Sequence, residues 1–299
     1  MFAAVTKLHR AWWIVAITFL TLVSAAAFRS TTGVMLVPLE DEFGWSRSLT
    51  AGAAALNLVI YGLTAPFAAT LIERFSMRRV VSFALLLVAF GLVLTTVMTA
   101  GWQLVLLWGL FVGFGTGCLA LVFGAAVANR WFVKNRGLVT GVFSAGYATG
   151  SMIFLPALTF TIENSGWRSA TLVVAGFSAL LAPIVFFFLR DRPSDVGLLP
   201  YGATEEPDMG PAAPATARGA IEVLTTSMRH PAFWVLAFTF FVCGWSTNGL
   251  IGTHFIPAAH DHGMPATTAA SLLVLVGVFD LIGTIGSGYL TDKVSSIWL

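Results

Sequence analysis

Two charged residues, Arg29 and Asp280, lie inside long apolar runs, whereas nearly all other charges fall in the short segments between such runs. A charge at the centre of a bilayer costs about 2.5–3.5 kcal/mol on insertion scales, so it generally faces a polar cavity or a partner. The guanidinium group offers planar paired donors that match a carboxylate. A carboxyl group in a dry site can carry a proton near neutral pH. Together the two residues predict a site that binds an organic anion and couples it to a proton.

Each charge also has a structural interpretation. Arg29 could bond to backbone carbonyls or to an acid inside a helix bundle, and Asp280 could do no more than neutralise Arg29. On a helix, small and polar residues share the face of each charge at a spacing of three or four positions, which favours a cavity over lipid. An ion pair between the two residues that breaks when substrate binds would reconcile both interpretations.

The composition places these residues in a membrane protein. Hydrophobic residues make up 57% of the 299 residues and charged residues 10%, whereas soluble domains carry about 25% charged residues. The net charge of +2 gives no reason to expect a nucleic-acid partner. Cys118 and Cys243 lie in apolar runs without metal-ligand or disulfide spacing, so both are interpreted as small buried hydrophobic residues. The sequence shows no phosphate-binding glycine loop, metal-ligand cluster or nucleophile–base pair, so it predicts neither an enzyme nor a bound cofactor.

Eight apolar segments are long enough to cross a bilayer. Because backbone groups in lipid must be satisfied internally, these spans are predicted to be helices. They lie near residues 11–37, 49–72, 80–100, 103–128, 137–161, 169–189, 232–257 and 266–290. Thirteen Lys and Arg residues fall on one side of this arrangement and two, Arg47 and Arg168, on the other. The positive-inside rule then predicts a multi-pass protein of the cell membrane with both termini in the cytoplasm.

One long polar connection separates the sixth span from the seventh. It carries a Pro- and Ala-rich stretch over residues 207–217, a composition typical of extended linkers. The expected organisation is a six-helix part (1–190), a cytoplasmic linker (191–230) and a shorter part with two spans (231–299).

The seventh and eighth spans repeat the first and second at a constant offset of 219 residues, without gaps. Turn and small residues recur because both copies need the same helix ends and close approaches. The matched pairs are Gly33 with Gly252, Pro38 with Pro257, Gly44 with Gly263, Ala69 with Gly288, Glu73 with Asp292, and Arg74 with Lys293. A complete second six-helix copy would need four more helices, so we expect a truncated form of a twelve-helix protein.

Four polar residues at a depth similar to that of Arg29 are further candidates for the cavity. They are Asn57 and Tyr61 in the second span, Tyr147 in the fifth and Asn248 in the seventh. Asn248 is the repeat mate of Arg29, so symmetry directs both residues at the central axis. The alternative for each candidate is a hydrogen bond between helices.

The segment from Ala69 to Arg79, ATLIERFSMRR, resembles the signature loop of the major facilitator superfamily, Gly-x-x-x-Asp-Arg-x-Gly-x-Arg-Arg. Residues 288–293, GYLTDK, are similar to its second-half copy. Ala69, Glu73 and Ser76 depart from the pattern by chemically mild substitutions. The resemblance implies an all-α integral membrane bundle, here with the six helices of the first half and the first two of the second.

The charged residues of these two loops are predicted to control the inner mouth of the bundle. They are Glu73, Arg74, Arg78, Arg79, Asp292 and Lys293. Such charges can latch one conformation by bonding to the end of a neighbouring helix, whose carbonyls carry partial negative charge. Their alternative role is only to set the topology.

Further stretches resemble the monocarboxylate transporters and oxalate/formate antiporters within this superfamily. They are residues 38–47 (PLEDEFGWSR), 130–132 (RWF) with 136–137 (RG), 166–168 (GWR) and 192–198 (RPSDVGL). In that branch a basic residue of the first helix is thought to meet the substrate anion, a role that Arg29 fits. Its carriers also place an Asp in the eighth helix with an Arg four residues later. Asp280 matches the first of these positions, whereas Thr284 occupies the second.

The predicted function is secondary active transport of small organic anions, mono- or dicarboxylates, by alternating access. A proton or a counter-anion would be the coupled species, with Asp280 as the proton carrier. The expected partners are the substrate, the lipid bilayer and, for a truncated chain, another copy or a longer relative. The alternatives are an efflux carrier for apolar compounds, in which Arg29 would be structural, and a truncated membrane protein that does not transport.

Overall fold

The computed structural model describes residues 10–205 and 216–294, and apolar runs in these ranges form long helices between turns. The first four are α1 (Arg10–Phe43), α2 (Arg47–Phe75), α3 (Met77–Thr95) and α4 (Gly101–Trp131). A continuous helical stretch, Arg136–Phe188, follows and breaks at Gly166, whose φ of 79° lies in the left-handed region. This break separates α5 (136–165) from α6 (167–188).

Three helices complete the described chain: α7 (Ala217–Ser227), α8 (Pro231–Asp261) and α9 (Ala266–Thr291). Seven of the described helical stretches are long and apolar enough to span a membrane, and Arg136–Phe188 contributes two spans. The eight predicted spans are therefore present as α1 to α6, α8 and α9. We call the face with the turns at 44–46, 96–100 and 262–265 the outer end, and the opposite face the inner end.

Two helices are irregular where the sequence is rich in glycine or bulky apolar residues. α4 contains π-helical turns over Val105–Val112 and restarts at Leu121 after a short break. α8 contains π-helical turns over Gly244–His254. Wide turns of this kind are rare and often accompany functional sites.

Most of the buried core lies within α1 to α6, which we call the first half, and it is joined near the outer end by Ile256, Ala259, Ala269 and Ala270 of α8 and α9. One apolar cluster surrounds Trp131 and Phe123 near the inner end, and a second surrounds Trp108 and Phe28 near the outer end. By contrast, the most apolar stretch of α8 contains no buried residue. The side chains of this stretch therefore face away from the core, whereas Ile256 and Ala259 near the end of α8 are buried in it.

The second-copy helices, α8 and α9, meet the first half through close backbone approaches. A Cβ atom on Gly33 of α1 would lie 2.7 Å from the carbonyl oxygen of Gly252 in α8. A Cβ atom on Gly141 of α5 would lie 3.1 Å from Cα of Gly288 in α9. Small residues thus permit the two seams that join the copies.

The start of the predicted linker is attached to the inner end of the first half. The Tyr201 amide donates to the Trp131 carbonyl at 2.8 Å, and the Val133 amide donates to the Tyr201 carbonyl at 3.0 Å. The ring of Tyr201 also packs against Trp12 and Phe132, with centroids 5.9 and 5.7 Å away. Residues 206–215 of the linker lie outside the described part of the structure.

Candidate substrate cavity

A cavity of about 440 Å³ lies between the first half and the second-copy helices. Its lining includes Arg29 from α1, Asn57 from α2, Tyr147 from α5 and Asp280 from α9. These four residues were all candidates from the sequence, and the fold brings them to one space. Tyr61 is not among the lining residues, but its ring contacts the guanidinium group of Arg29, which is one of them.

Arg29 is the centre of an aromatic cluster. Its guanidinium carbon lies 4.3 Å from the ring centroid of Tyr61 and 5.1 Å from that of Tyr147. Each contact is a cation–π interaction, which is worth about 2 kcal/mol or more when the cation is desolvated. The rings thus stabilise a cation at membrane depth through its faces, while the N–H edge of a guanidinium is the part that binds a carboxylate.

Two polar side chains of the cavity lining, those of Asn57 and Tyr147, differ in whether they have a hydrogen-bond partner. Asn57 is buried, and its amide nitrogen donates to the Trp108 carbonyl at 2.6 Å. That bond joins α2 to α4, and it is the hydrogen bond between helices that was the alternative interpretation of Asn57. The buried Tyr147 hydroxyl makes no hydrogen bond to the described residues, and an unpaired buried polar atom calls for a partner such as water or ligand.

Asp280 lies across the cavity from this cluster and is exposed. Among the ion pairs of the described residues, none joins Asp280 to Arg29. The Thr284 hydroxyl donates to the Asp280 backbone carbonyl at 2.8 Å. Thr284 therefore binds the helix backbone and does not stand in for the arginine of the resembled carriers.

The seventh predicted span contributes to the cavity through its π-helical turns. Thr247, Gly252 and Thr253 line the space, as does Cys243 just before them. Asn248 lies in the same segment, but its side chain is outside the described part of the structure.

Sequence reasoning missed several lining residues and misjudged one. Cys118 is buried as expected, whereas Cys243 is exposed and lines the cavity, because α8 is packed on one side only. Ser151, four residues after Tyr147, was also missed. The three-and-four spacing rule applied to Tyr147 would have found it.

At the inner end, the two acidic residues of the signature loops have different partners. Glu73, in the last turn of α2, pairs with Arg130 at the end of α4. The Arg130 side chain is 8% exposed. Asp292, the repeat mate of Glu73 after α9, accepts the amide N–H groups of Gly137 and Leu138, both at 2.8 Å. We expected such loops to bond to helix carbonyls, but Asp292 instead binds the first turn of α5, where N–H groups and a positive dipole favour an anion.

The basic residues of the loops make surface contacts. The guanidinium carbon of Arg74 lies 5.2 Å from the ring centroid of Phe75, and that of Arg78 lies 5.9 Å from that of Phe186. Lys293, just after α9, contacts Tyr289 in the last turn of that helix, and Arg79 is exposed. The gating role of these residues stays a prediction.

Replacing Asp292 by alanine is expected to loosen the inner seam. The change removes the acceptor for two N–H groups at a helix N-terminus, a loss of about 0.5–2 kcal/mol by analogy with helix caps. The free energy of unfolding in detergent measures it. Asp41→Ala, which removes an exposed carboxylate at the other end of the protein, is the control, and equal values for the two variants would contradict the prediction.

Comparison with known proteins agrees with this architecture. A family model described as Major Facilitator Superfamily matches residues 18–299. The solved structure of the proton:xylose symporter XylE bound to 6-bromo-6-deoxy-D-glucose superimposes with a TM-score of 0.61 at 15% identity, covering 95% of this chain and 70% of that one. That likeness shows the fold.

Curated relatives carry transporter names. Monocarboxylate transporter 12-B of Danio rerio is 28% identical over 94% of this chain and 62% of its own length. Monocarboxylate transporter 11 of Mus musculus is 28% identical over 91% and 59%. The uncharacterized MFS-type transporter YcxA of Bacillus subtilis is 21% identical over 95% and 66%. The chain thus spans about three fifths to two thirds of these relatives, and their names agree with the prediction that it is not an enzyme.

Proposed function

Because the chain belongs to the major facilitator superfamily, we propose that it transports small organic anions, mono- or dicarboxylates, by alternating access. The observation that carries this proposal is the place of Arg29, a cation that two tyrosine rings hold beside a cavity between the repeat copies. A fixed guanidinium at membrane depth recognises a carboxylate and gives no advantage to an apolar substrate. The names of the monocarboxylate transporter relatives support the same substrate class.

Asp280 is the proposed proton carrier. It lines the same cavity as Arg29, so a proton on its carboxyl group and an anion at Arg29 can bind together with little change in net charge. The arginine that the resembled carriers place four residues later is absent here, and Thr284 is bonded to the backbone. The proton site of this chain would then rest on Asp280 alone, with exchange for a counter-anion as the other mode of coupling.

The proposed setting is the cell membrane, with both termini in the cytoplasm. The bias of thirteen Lys and Arg residues against two supports this orientation. The exposed apolar side chains of α8, such as Phe238, Phe240 and Trp245, support lipid contact and pairing with another copy or a longer relative.

Ligand stabilisation tests the substrate class without requiring transport by the isolated chain. The thermal unfolding of the purified protein is measured with a panel of mono- and dicarboxylates and with the matching uncharged amides. A bound ligand at 100 times its Kd stabilises the folded state by about 2.7 kcal/mol, so at least one carboxylate should raise the unfolding temperature while its amide should not. Stabilisation by apolar compounds alone would favour the efflux carrier, and no stabilisation by any compound would favour a protein that does not transport.

A further inference from the structure

At the outer end, one arginine bonds to carboxylates from both repeat copies. Nη1 of Arg47, the first residue of α2, lies 2.6 Å from Oδ2 of Asp261 at the end of α8, and Nη2 lies 3.4 Å from Oδ1. Its Nε lies 3.3 Å from Oε2 of Glu40 in α1. Arg47 is therefore joined to its own copy through Glu40 and to the second copy through Asp261.

The internal repeat shows that this arrangement is specific to the junction. Asp261 is the mate of Glu42 at the offset of 219 residues, and Glu42 bonds within the first half, accepting from Trp167 and Arg168. The mate of Arg47 is Ala266, so the second copy has no equivalent cation. Asp261 thus does not repeat the contacts of its mate Glu42, and it bonds instead to Arg47 at the start of α2.

The two carboxylates hold Arg47 in different ways. Glu40 is 15% exposed and its other oxygen accepts from the Thr50 hydroxyl at 2.8 Å, so it is fixed within the first half. Asp261 and Arg47 are 48% and 45% exposed. A half-exposed ion pair is weak and reversible, which suits a contact that must break when α8 moves.

We propose that Arg47 is a two-way outer clasp. It holds α8 against the first half through Asp261 when the outer end is closed, and it stays on Glu40 when α8 moves away. The Arg47–Glu40 contact is present in both states and does not shift their balance. However, the Glu40 carboxylate shares one guanidinium with Asp261 only when the outer end is closed, and this like-charge repulsion lowers the free energy gained on closing. Asp261 then favours the closed outer end and Glu40 favours the open one. Two acidic residues that only stabilised the fold would not have opposite effects on this balance.

Cys243 provides the readout, because it lines the cavity between the copies and Cys118, the other cysteine, is buried. In a Cys118→Ala background, a membrane-impermeant thiol reagent is added to the outer side and the rate of Cys243 labelling is measured without substrate. Asp261→Asn should raise this rate by about two- to five-fold, the range of an exposed ion pair. Glu40→Gln should lower it by a similar factor, because Asp261 then binds Arg47 without a second carboxylate beside it to repel it.

Two further variants make the result specific. Asp41→Asn removes an exposed charge beside Glu40 and should leave the labelling rate unchanged. Adding Arg47→Gln to Asp261→Asn should not raise the rate further, since both changes remove the same contact. Unfolding temperatures are recorded for each variant so that loss of the fold is not mistaken for opening.

The clasp is overturned if Asp261→Asn and Glu40→Gln shift the labelling rate in the same direction, or if neither shifts it. Because no substrate is present, this outcome is separate from the proposal of an anion site at Arg29. A chain that binds no carboxylate can still show the opposite effects of Asp261 and Glu40.

Discussion

Replacing Arg29 by alanine is expected to abolish carboxylate binding, and replacing it by lysine is expected to weaken binding. Truncating one partner of a buried, hydrogen-bonded charge pair costs about 2–5 kcal/mol, which raises Kd by about 30-fold or more. Lysine keeps the charge but lacks the planar fork that matches both carboxylate oxygens. The Kd of the best carboxylate from the stabilisation panel, measured by calorimetry or by thermal shift, tests both variants.

Tyr61→Phe is the matched control for this prediction. It keeps the ring that contacts the Arg29 guanidinium and removes only a hydroxyl, so it should change Kd far less than Arg29→Ala. If Arg29→Ala binds carboxylates normally while an apolar compound is transported, Arg29 is a structural cation and the efflux interpretation holds.

Adding a single methyl group at Gly33 is expected to force α1 and α8 apart. The Cβ of Gly33→Ala would lie 2.7 Å from the Gly252 carbonyl oxygen, and backbone cannot move aside as a flexible side chain does. Overpacking of this kind costs about 1–3 kcal/mol. Since the cavity lies beside this contact, we expect a lower free energy of unfolding together with loss of carboxylate-induced stabilisation.

Gly62→Ala in α2 is the control, because an added Cβ there meets no atom within 4 Å. Replacing an open helical glycine by alanine removes backbone freedom from the unfolded chain and should be neutral or slightly stabilising. If Gly33→Ala behaves like Gly62→Ala in both measurements, the approach of α1 to α8 does not limit the packing of the two copies.

Hydropathy alone was sufficient to predict the spans, because a helix that crosses the hydrocarbon core of a bilayer needs about 20 consecutive, mostly apolar residues. The turn at Gly166 was also predictable, since a polar segment separates two apolar runs there. The π-helical turns of α4 and α8 were not predictable. Residues 105–112 are apolar or glycine throughout, and residues 244–254 mix small, polar and apolar side chains around the helix, so neither segment carries a periodicity from which the helix pitch could be inferred.

The site was predictable where a residue was anomalous for its surroundings. Arg29 and Asp280 stand out as charges in apolar runs, and the structure places both at one cavity. Arg130 and Arg47 lie near helix ends, where charges are common. The sequence around them therefore gave no sign that Arg130 is buried against Glu73 or that Arg47 contacts Asp261. Partners separated by 57 and 214 positions are set by the packing of the helices, which no pattern of spacing shows.

The contact between Gly33 and Gly252 also bears on how the chain arose. In a two-fold symmetric dimer, only residues near the axis meet their own equivalents, and these two glycines are equivalents at the offset of 219 residues that meet. Duplication of an ancestral gene accounts for such a pair, with two identical subunits once touching at one shared glycine. In that ancestor a single mutation would have changed both sides of the contact at once. Fusion into one chain allowed the two sides to diverge, as they have one turn away, where Arg29 is matched with Asn248.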